Sequence, residues 1–208
     1  MGSLFVVAAA SGTGKTSLVR ALVQSTPGLV VSVSHTTRPP RPGERDGVDY
    51  HFVEPARFEA MCARGELLEH AEVFGHLYGT SRGQVLARLA AGEDVVLVID
   101  WQGYRQVRMA HAETVGVFLL PPSREELERR LRGRDQDAPP IIQRRLAEAR
   151  AEIAHCQEFD YLVVNRDFSA ALADLQAIVR ARRLAVDAQA PGTADLLAEL
   201  LEEPGGSR

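Results

Sequence analysis

The chain has 208 residues, 45% of them apolar, with 24 Lys and Arg against 28 Asp and Glu for a formal net charge of −4. That suits one globular domain, or one with small insertions, with ample core material and no global basic field for nucleic acid. Two cysteines, Cys62 and Cys156, make neither a disulfide framework nor a close-spaced metal pair, so a reducing cytoplasmic setting is expected. The apolar runs are far shorter than the roughly 20 residues that span a bilayer, and the N-terminus lacks the basic start of a signal peptide, so no membrane partner is expected.

The first predicted element is an apolar strand, Leu4–Ala9, running straight into Ala9-Ala10-Ser11-Gly12-Thr13-Gly14-Lys15-Thr16 and a helix over Lys15–Ser25. Gly-Lys-Thr at a strand-to-helix turn is the ending of a P-loop, in which backbone N–H groups converge on phosphates at a helix N-terminus. The usual opening glycine is replaced by Ala9, which weakens the bare motif. Lys15 strengthens it, because it is the only lysine in the chain and every other fixed side-chain cation is arginine. A compact ammonium folds back over phosphates where a planar guanidinium does not. In this reading Lys15 reaches the β- and γ-phosphates of a bound nucleotide and Thr16 coordinates Mg²⁺.

A second strand is expected over 29–33. The stretch 34–80 then breaks the rhythm: rich in Arg, Pro, Gly and aromatics, it reads as a small inserted β-rich unit with a helix near 55–64. Helix 81–91 leads to strand 95–99, which ends at Asp100. A strand-end carboxylate here serves Mg²⁺ or a substrate in P-loop proteins, and it also suits the N-cap of a helix over 102–110; the two roles are compatible. Strands Val115–Leu120 and Tyr161–Val164 alternate with helices Arg124–Arg132, 141–155 and 169–186. Continuous apolar strands alternating with helices predict an α/β fold of P-loop NTPase type, a parallel sheet with helices on both faces. Its ligands belong at the carboxyl ends of the strands. Residues 124–150 read as a charged lid within a core of 1–33 and 81–190. Residues 191–208 read as an amphipathic peripheral or interface helix, marked by Leu196, Leu197, Leu200 and Leu201, with a frayed end. Pro39-Pro40-Arg41-Pro42 fits a PxxP pattern but reads better as a stiffened loop, and His35, His51, His70 and His76 lack metal spacing and read as surface or loop residues.

An ordered set of short motifs resembles the bacterial guanylate kinases. They are Ser32-Val33-Ser34-His35-Thr36-Thr37-Arg38, Arg41-Pro42-Gly43-Glu44, Asp49-Tyr50-His51-Phe52, Leu68-Glu69-His70-Ala71-Glu72, Tyr78-Gly79-Thr80-Ser81, Asp100-Trp101-Gln102-Gly103, Arg130-Leu131-Arg132-Gly133-Arg134 and Arg144-Arg145-Leu146. The match runs in register from about Leu4 to Arg183. The resemblance implies transfer of a phosphoryl group from Mg-ATP to GMP or dGMP, in a monomer or homo-oligomer. It implies that the inserted unit binds GMP and that a lid closes over both nucleotides. It places Arg38, Arg41, Tyr50 and Tyr78 on the GMP phosphate, and Ser34, Glu69 and Thr80, with Asp100 nearby, on the guanine. Arg134 and Arg145, with Arg130 behind them, fall on the transferring group, and Asn165 near the adenine. The chain departs from many relatives at Ala10, Asp135 and Arg166. Two rival readings are a non-catalytic guanylate-kinase-like interaction module and a related P-loop kinase for a phosphorylated sugar.

Overall fold

The computed structural model describes residues 1–73, 75–132 and 139–202. A five-stranded parallel sheet is built from β1 (Leu4–Ala9), β2 (Leu29–Val31), β7 (Asp94–Leu97), β8 (Val115–Leu120) and β9 (Tyr161–Val164) in the order β2-β7-β1-β8-β9. β1 lies at the centre, parallel to both β7 and β8. The connection from β1 runs to β2 on one side and that from its neighbour β7 runs to β8 on the other, so the chain emerging from β1 sits at the topological switch point where ligands of open α/β sheets bind.

All six residues of β1 are buried, and they serve both faces. Phe5, Val7 and Ala9 pack with Leu18, Val19 and Leu22 of α1 (Lys15–Ser25) and with Leu175 and Val179 of α7 (Phe168–Arg183). Leu4, Val6 and Ala8 pack on the other face with Val85 and Leu89 of α3 (Arg82–Ala90) and Tyr104 and Val107 of α4 (Trp101–Ala110). This two-sided burial explains why the strands read as unbroken apolar runs. Asp94 ties three elements together: its carboxylate accepts from Ser3 N–H at 2.6 Å and from Arg183 Nε at 2.7 Å.

The second sheet lies in the inserted stretch, in the order β4-β3-β6-β5, with β3 (His35–Thr36), β4 (His51–Phe52), β5 (Leu67–Val73) and β6 (His76–Ser81). α2 (Pro55–Ala63) begins with proline in its first turn and covers this sheet with Phe58 and Met61, which pack on Leu67. Phe58 is fully buried, and truncating it to alanine would cost about 3–5 kcal/mol. The β5–β6 ladder shifts register between Leu67 and Glu69. Such a bulge re-aims side chains. Here Leu67 joins the α2 cluster, Leu68 joins the main core, and the carboxyl of the next residue, Glu69, is buried.

α5 (Arg124–Arg132) and α6 (Pro139–Ile153) are the arms of the expected lid; residues 133–138 between them, with Arg134 and Asp135, lie outside the described residues. Helix 169–186 is shorter than expected. The chain breaks at Leu184 and Ala185, and α8 (Val186–Leu201) starts before the expected boundary at 190. Leu184 N–H closes α7 onto the carbonyls of Arg180 and Ala181, while Arg182 pairs with Asp187 at 2.7 Å across the break. Leu196, Leu197, Leu200 and Leu201 are exposed on α8.

Candidate active site

The chain leaving β1 forms a cradle at the N-terminus of α1. Gly12 and Gly14 take left-handed backbone angles, φ 86° and 96°, that let successive N–H groups converge. Neither can carry a side chain for a second reason. A Cβ on Gly12 would come to 3.0 Å of Leu131, and one on Gly14 to 2.8 Å of Asn165 Nδ2. Thr13, between them, is fully buried; its hydroxyl donates to the Ala10 carbonyl at 2.8 Å. Its own carbonyl accepts from Asn165 Nδ2 at 2.7 Å and from Arg130 at 3.3 Å. Arg130 also donates to the Asn165 carbonyl at 3.4 Å and is held by Glu126 at 2.7 Å. Asn165 and Arg130 are thus braces of the loop. The mouth beside them is an open cleft lined by Gly12, Gly14, Ser17, Arg129, Arg130, Asn165, Arg166 and Phe168.

Lys15 opens α1 and Thr16, exposed, follows it. Burial pushes the Lys15 ammonium below its ordinary value, against the pull of two carboxylates, Glu152 and Asp100. Asp100 caps α4: Oδ1 accepts from Gly103 N–H at 2.9 Å and Oδ2 from Gln102 at 3.2 Å. The expected capping role of this strand-end acid is therefore real, and it coexists with a place beside Lys15.

Glu69 is 3% exposed. Burial raises its carboxyl to about 7, assisted by the Asp100 charge and opposed by the hydrogen bond from Thr80. That bond, Thr80 Oγ1 to Glu69 Oε1, is 2.6 Å long, and the Ser34 hydroxyl lies 3.4 Å from Thr80 Oγ1. Strand pairing sets this geometry, because Glu69 stands opposite Thr80 in the β5–β6 ladder. Ser34, Glu69 and Thr80 are therefore brought together, with Asp100 close enough to act on Glu69.

Arg38 is 9% exposed and donates to both oxygens of Glu44, at 2.8 and 2.9 Å, and to the Pro39 carbonyl at 2.8 Å. Its guanidinium stands 5.4 Å from the Tyr50 ring centre, and Tyr50 meets Tyr78 edge-on at 5.9 Å. Tyr78 also hydrogen-bonds Arg38. Glu44 accepts Arg41 N–H at 2.8 Å, so one carboxylate holds both arginine positions of the loop. Arg38, Tyr50 and Tyr78 come together, and Arg41 joins them through its backbone N–H on Glu44, its side chain exposed. Arg145 is half-buried on α6.

Three contributors were given no role from sequence: Glu44, which organises the arginines; Gly103, where a Cβ would meet Glu69 Oε2 at 2.7 Å; and Glu152, beside Lys15. Glu44 and Gly103 stand inside the quoted motifs, whereas Glu152 had no signal there. His35 is a correction: it is buried in β3 and lies against the tilted ring of His51 at 4.6 Å, because the strand turns it inward. Among the described residues no group of three or more His, Cys, Asp or Glu could hold a metal.

A parallel sheet with a glycine-lined cradle at its switch point, a single lysine at the helix start and an acid between the neighbouring strand and the helix it caps define a P-loop nucleotide-binding protein. Comparison with known proteins narrows this. The guanylate kinase family model matches residues 1–182. Curated guanylate kinases from Alkalilimnicola ehrlichii and Nitrosococcus oceani are each 59% identical to the chain, covering 96% and 97% of it and 98% and 99% of the relatives. The crystal structure of guanylate kinase from Anaplasma phagocytophilum superposes with a TM-score of 0.75 at 36% identity, covering 88% of this chain and 87% of that one. The chain belongs to the guanylate kinase family.

Proposed function

We infer that the chain is an ATP:GMP phosphotransferase, moving the γ-phosphoryl group of ATP to GMP to give ADP and GDP. The observation that carries this is the placement of Glu69. Its buried carboxylate abuts Gly103 in the first turn of the helix that Asp100 caps, and Asp100 acts on both Glu69 and Lys15. The acceptor base and the donor phosphates thus meet around one residue.

Guanine presents N1–H and its 2-amino group side by side, and the ionised Glu69 carboxylate accepts both. Adenine lacks that pair and would leave the buried Glu69 with only its Thr80 bond, a mismatch that such sites reject by about 10⁴–10⁵. Ser34 and Thr80 complete the base site. Arg38 and Arg41, preset by Glu44, grip the GMP phosphate with the hydroxyls of Tyr50 and Tyr78. Lys15 and the loop of Ala9, Ala10, Ser11, Gly12, Thr13, Gly14 and Thr16 form the ATP phosphate site, with Asn165 and Arg130 fixing its shape. Arg134 and Arg145 bring positive charge to the group in transit. The acceptor phosphate is already anionic, so in-line placement and charge neutralisation suffice, without a general base.

The donors beside the cradle suit Mg²⁺, which takes oxygen ligands and is held by one or two protein groups plus substrate phosphates. The exposed Thr16 hydroxyl and the Asp100 carboxylate are such groups. Bound with ATP, Mg²⁺ supplies neutralisation of the phosphate charge. No helix among the described residues is long and apolar enough to cross a membrane, and a cytoplasmic setting is part of the proposal.

A coupled ADP-release assay with Mg-ATP against GMP, dGMP, AMP, CMP and UMP tests the reading. Turnover with GMP and dGMP and little with the others is expected. ATP binding without turnover on any of them would instead identify an interaction module.

A further inference from the structure

Glu152 is a carboxylate for which the reaction as described has no use. It is half-buried in the last turn of α6, and its Oε2 is buried with no hydrogen-bond partner. Its carboxylate accepts Ser11 N–H at the crest of the phosphate loop. The charged groups around it are Lys15, Asp100 and Glu148. Residues 145, 149 and 152 recur at four and three, one face of a helix. Ala149 on that face is fully buried against Ala10, Leu127 and Leu131, so the face looks onto the loop. Arg145 and Glu152 therefore stand on the same side of α6, about 10 Å apart along its axis.

We propose that Glu152 is a positioning residue for the ATP site: it fastens α6 to the phosphate loop through Ser11 N–H and holds the Lys15 ammonium by its charge, registering the helix that carries Arg145 against the cradle. Burial penalises the ionised form, and the Lys15 charge opposes that penalty. Of the two carboxylates acting on Lys15, Asp100 is engaged in capping α4, and Glu152 is the one carried by α6.

The inference rests on the assignment of the loop to ATP. Wild-type turnover of ATP with GMP tests that assignment by itself; if it fails, the function falls, and ATP binding by calorimetry still reads Glu152. The variants are Glu152→Gln, which keeps an acceptor for Ser11 but removes the charge, Glu152→Ala, and Glu148→Gln as a control on the same helix. A charge-assisted contact is worth about tenfold or more. Expected for Glu152→Gln is a fall of about that size in kcat/KM for ATP and in ATP affinity, with KM for GMP and the melting temperature unchanged. Glu152→Ala should lose more, and Glu148→Gln nothing. Two results overturn the proposal. One is a Glu152→Gln protein that binds and uses ATP like the wild type. The other is equal losses for ATP and GMP that track a fall in melting temperature. Should Glu152→Ala fail to fold, Glu152→Gln decides alone.

Discussion

Gly103 leaves open the space that the Glu69 carboxylate fills: a methyl group at residue 103 would come to 2.7 Å of Glu69 Oε2 and 3.1 Å of Ile99 Cδ1. The glycine lies in the first turn of α4, where alanine is the better helix former by about 0.8–1 kcal/mol. A Gly103→Ala protein should therefore keep its fold and displace Glu69 instead. Steady-state kinetics should find KM for GMP raised by about tenfold, the cost of one well-made contact, with KM for ATP little changed.

Glu69 makes GMP binding depend on pH. Its carboxyl sits at about 7 in the folded protein against 4.5 for a free glutamate. A raised acid pKa means that the folded state holds its proton more tightly than the unfolded chain. The nucleotide-free protein should then lose stability as pH rises from about 4.5 to about 7, by up to about 3 kcal/mol, and lose no more from this group above that range. GMP reverses the preference, because its two N–H donors need the ionised form. Calorimetry should find GMP binding about three- to fourfold weaker near pH 6.5 than near pH 8.5. Glu69→Gln should be the more stable protein at alkaline pH and should fail to bind GMP tightly.

Lys15 can be watched directly, because it is the only lysine. A ¹⁵N spectrum should hold one side-chain ammonium resonance, titrating below the ordinary 10.5 because the group is buried. Asp100→Asn should lower it further, since the Asp100 charge holds it up. Lys15→Arg should lose at least about a hundredfold in kcat, because the planar fork does not fit where the compact ammonium does.

Asn165 and Arg130 share the Thr13 carbonyl. Asn165→Ala removes the shorter bond and opens space against Gly14. Leaving a buried carbonyl with one weak donor costs about 1–3 kcal/mol, which thermal melting should register, together with a raised KM for ATP and an unchanged KM for GMP.

The parts legible from sequence were those governed by local chemistry. The P-loop ending, the unbroken apolar strands and the strand-end Asp100 each follow from backbone geometry or two-sided burial, and β1, α1, β8, α5 and β9 fall at their expected bounds. Strand 29–33 stops at Val31 because the chain then turns toward the second sheet. The break at Leu184 has no glycine or proline to announce it. Glu69 was readable as a motif residue but not as a buried one, since a bulge at 67–69 sets its direction. Glu152 was not readable at all. In a helix containing Arg144, Glu148 and Arg150 it passes for a solvated charge, and only the packing of Ala149 on Ala10 brings it to the loop.

The central claim is that one buried carboxylate, Glu69, reads guanine for this phosphotransferase. The most direct test is kcat/KM for GMP and for AMP in the wild type and in Glu69→Ala. The account predicts a wild-type preference for GMP of about 10⁴ or more, collapsing in the variant through loss of GMP use while KM for ATP stays put. A Glu69→Ala enzyme that keeps normal GMP kinetics, or a wild type that uses AMP as well as GMP, would contradict it.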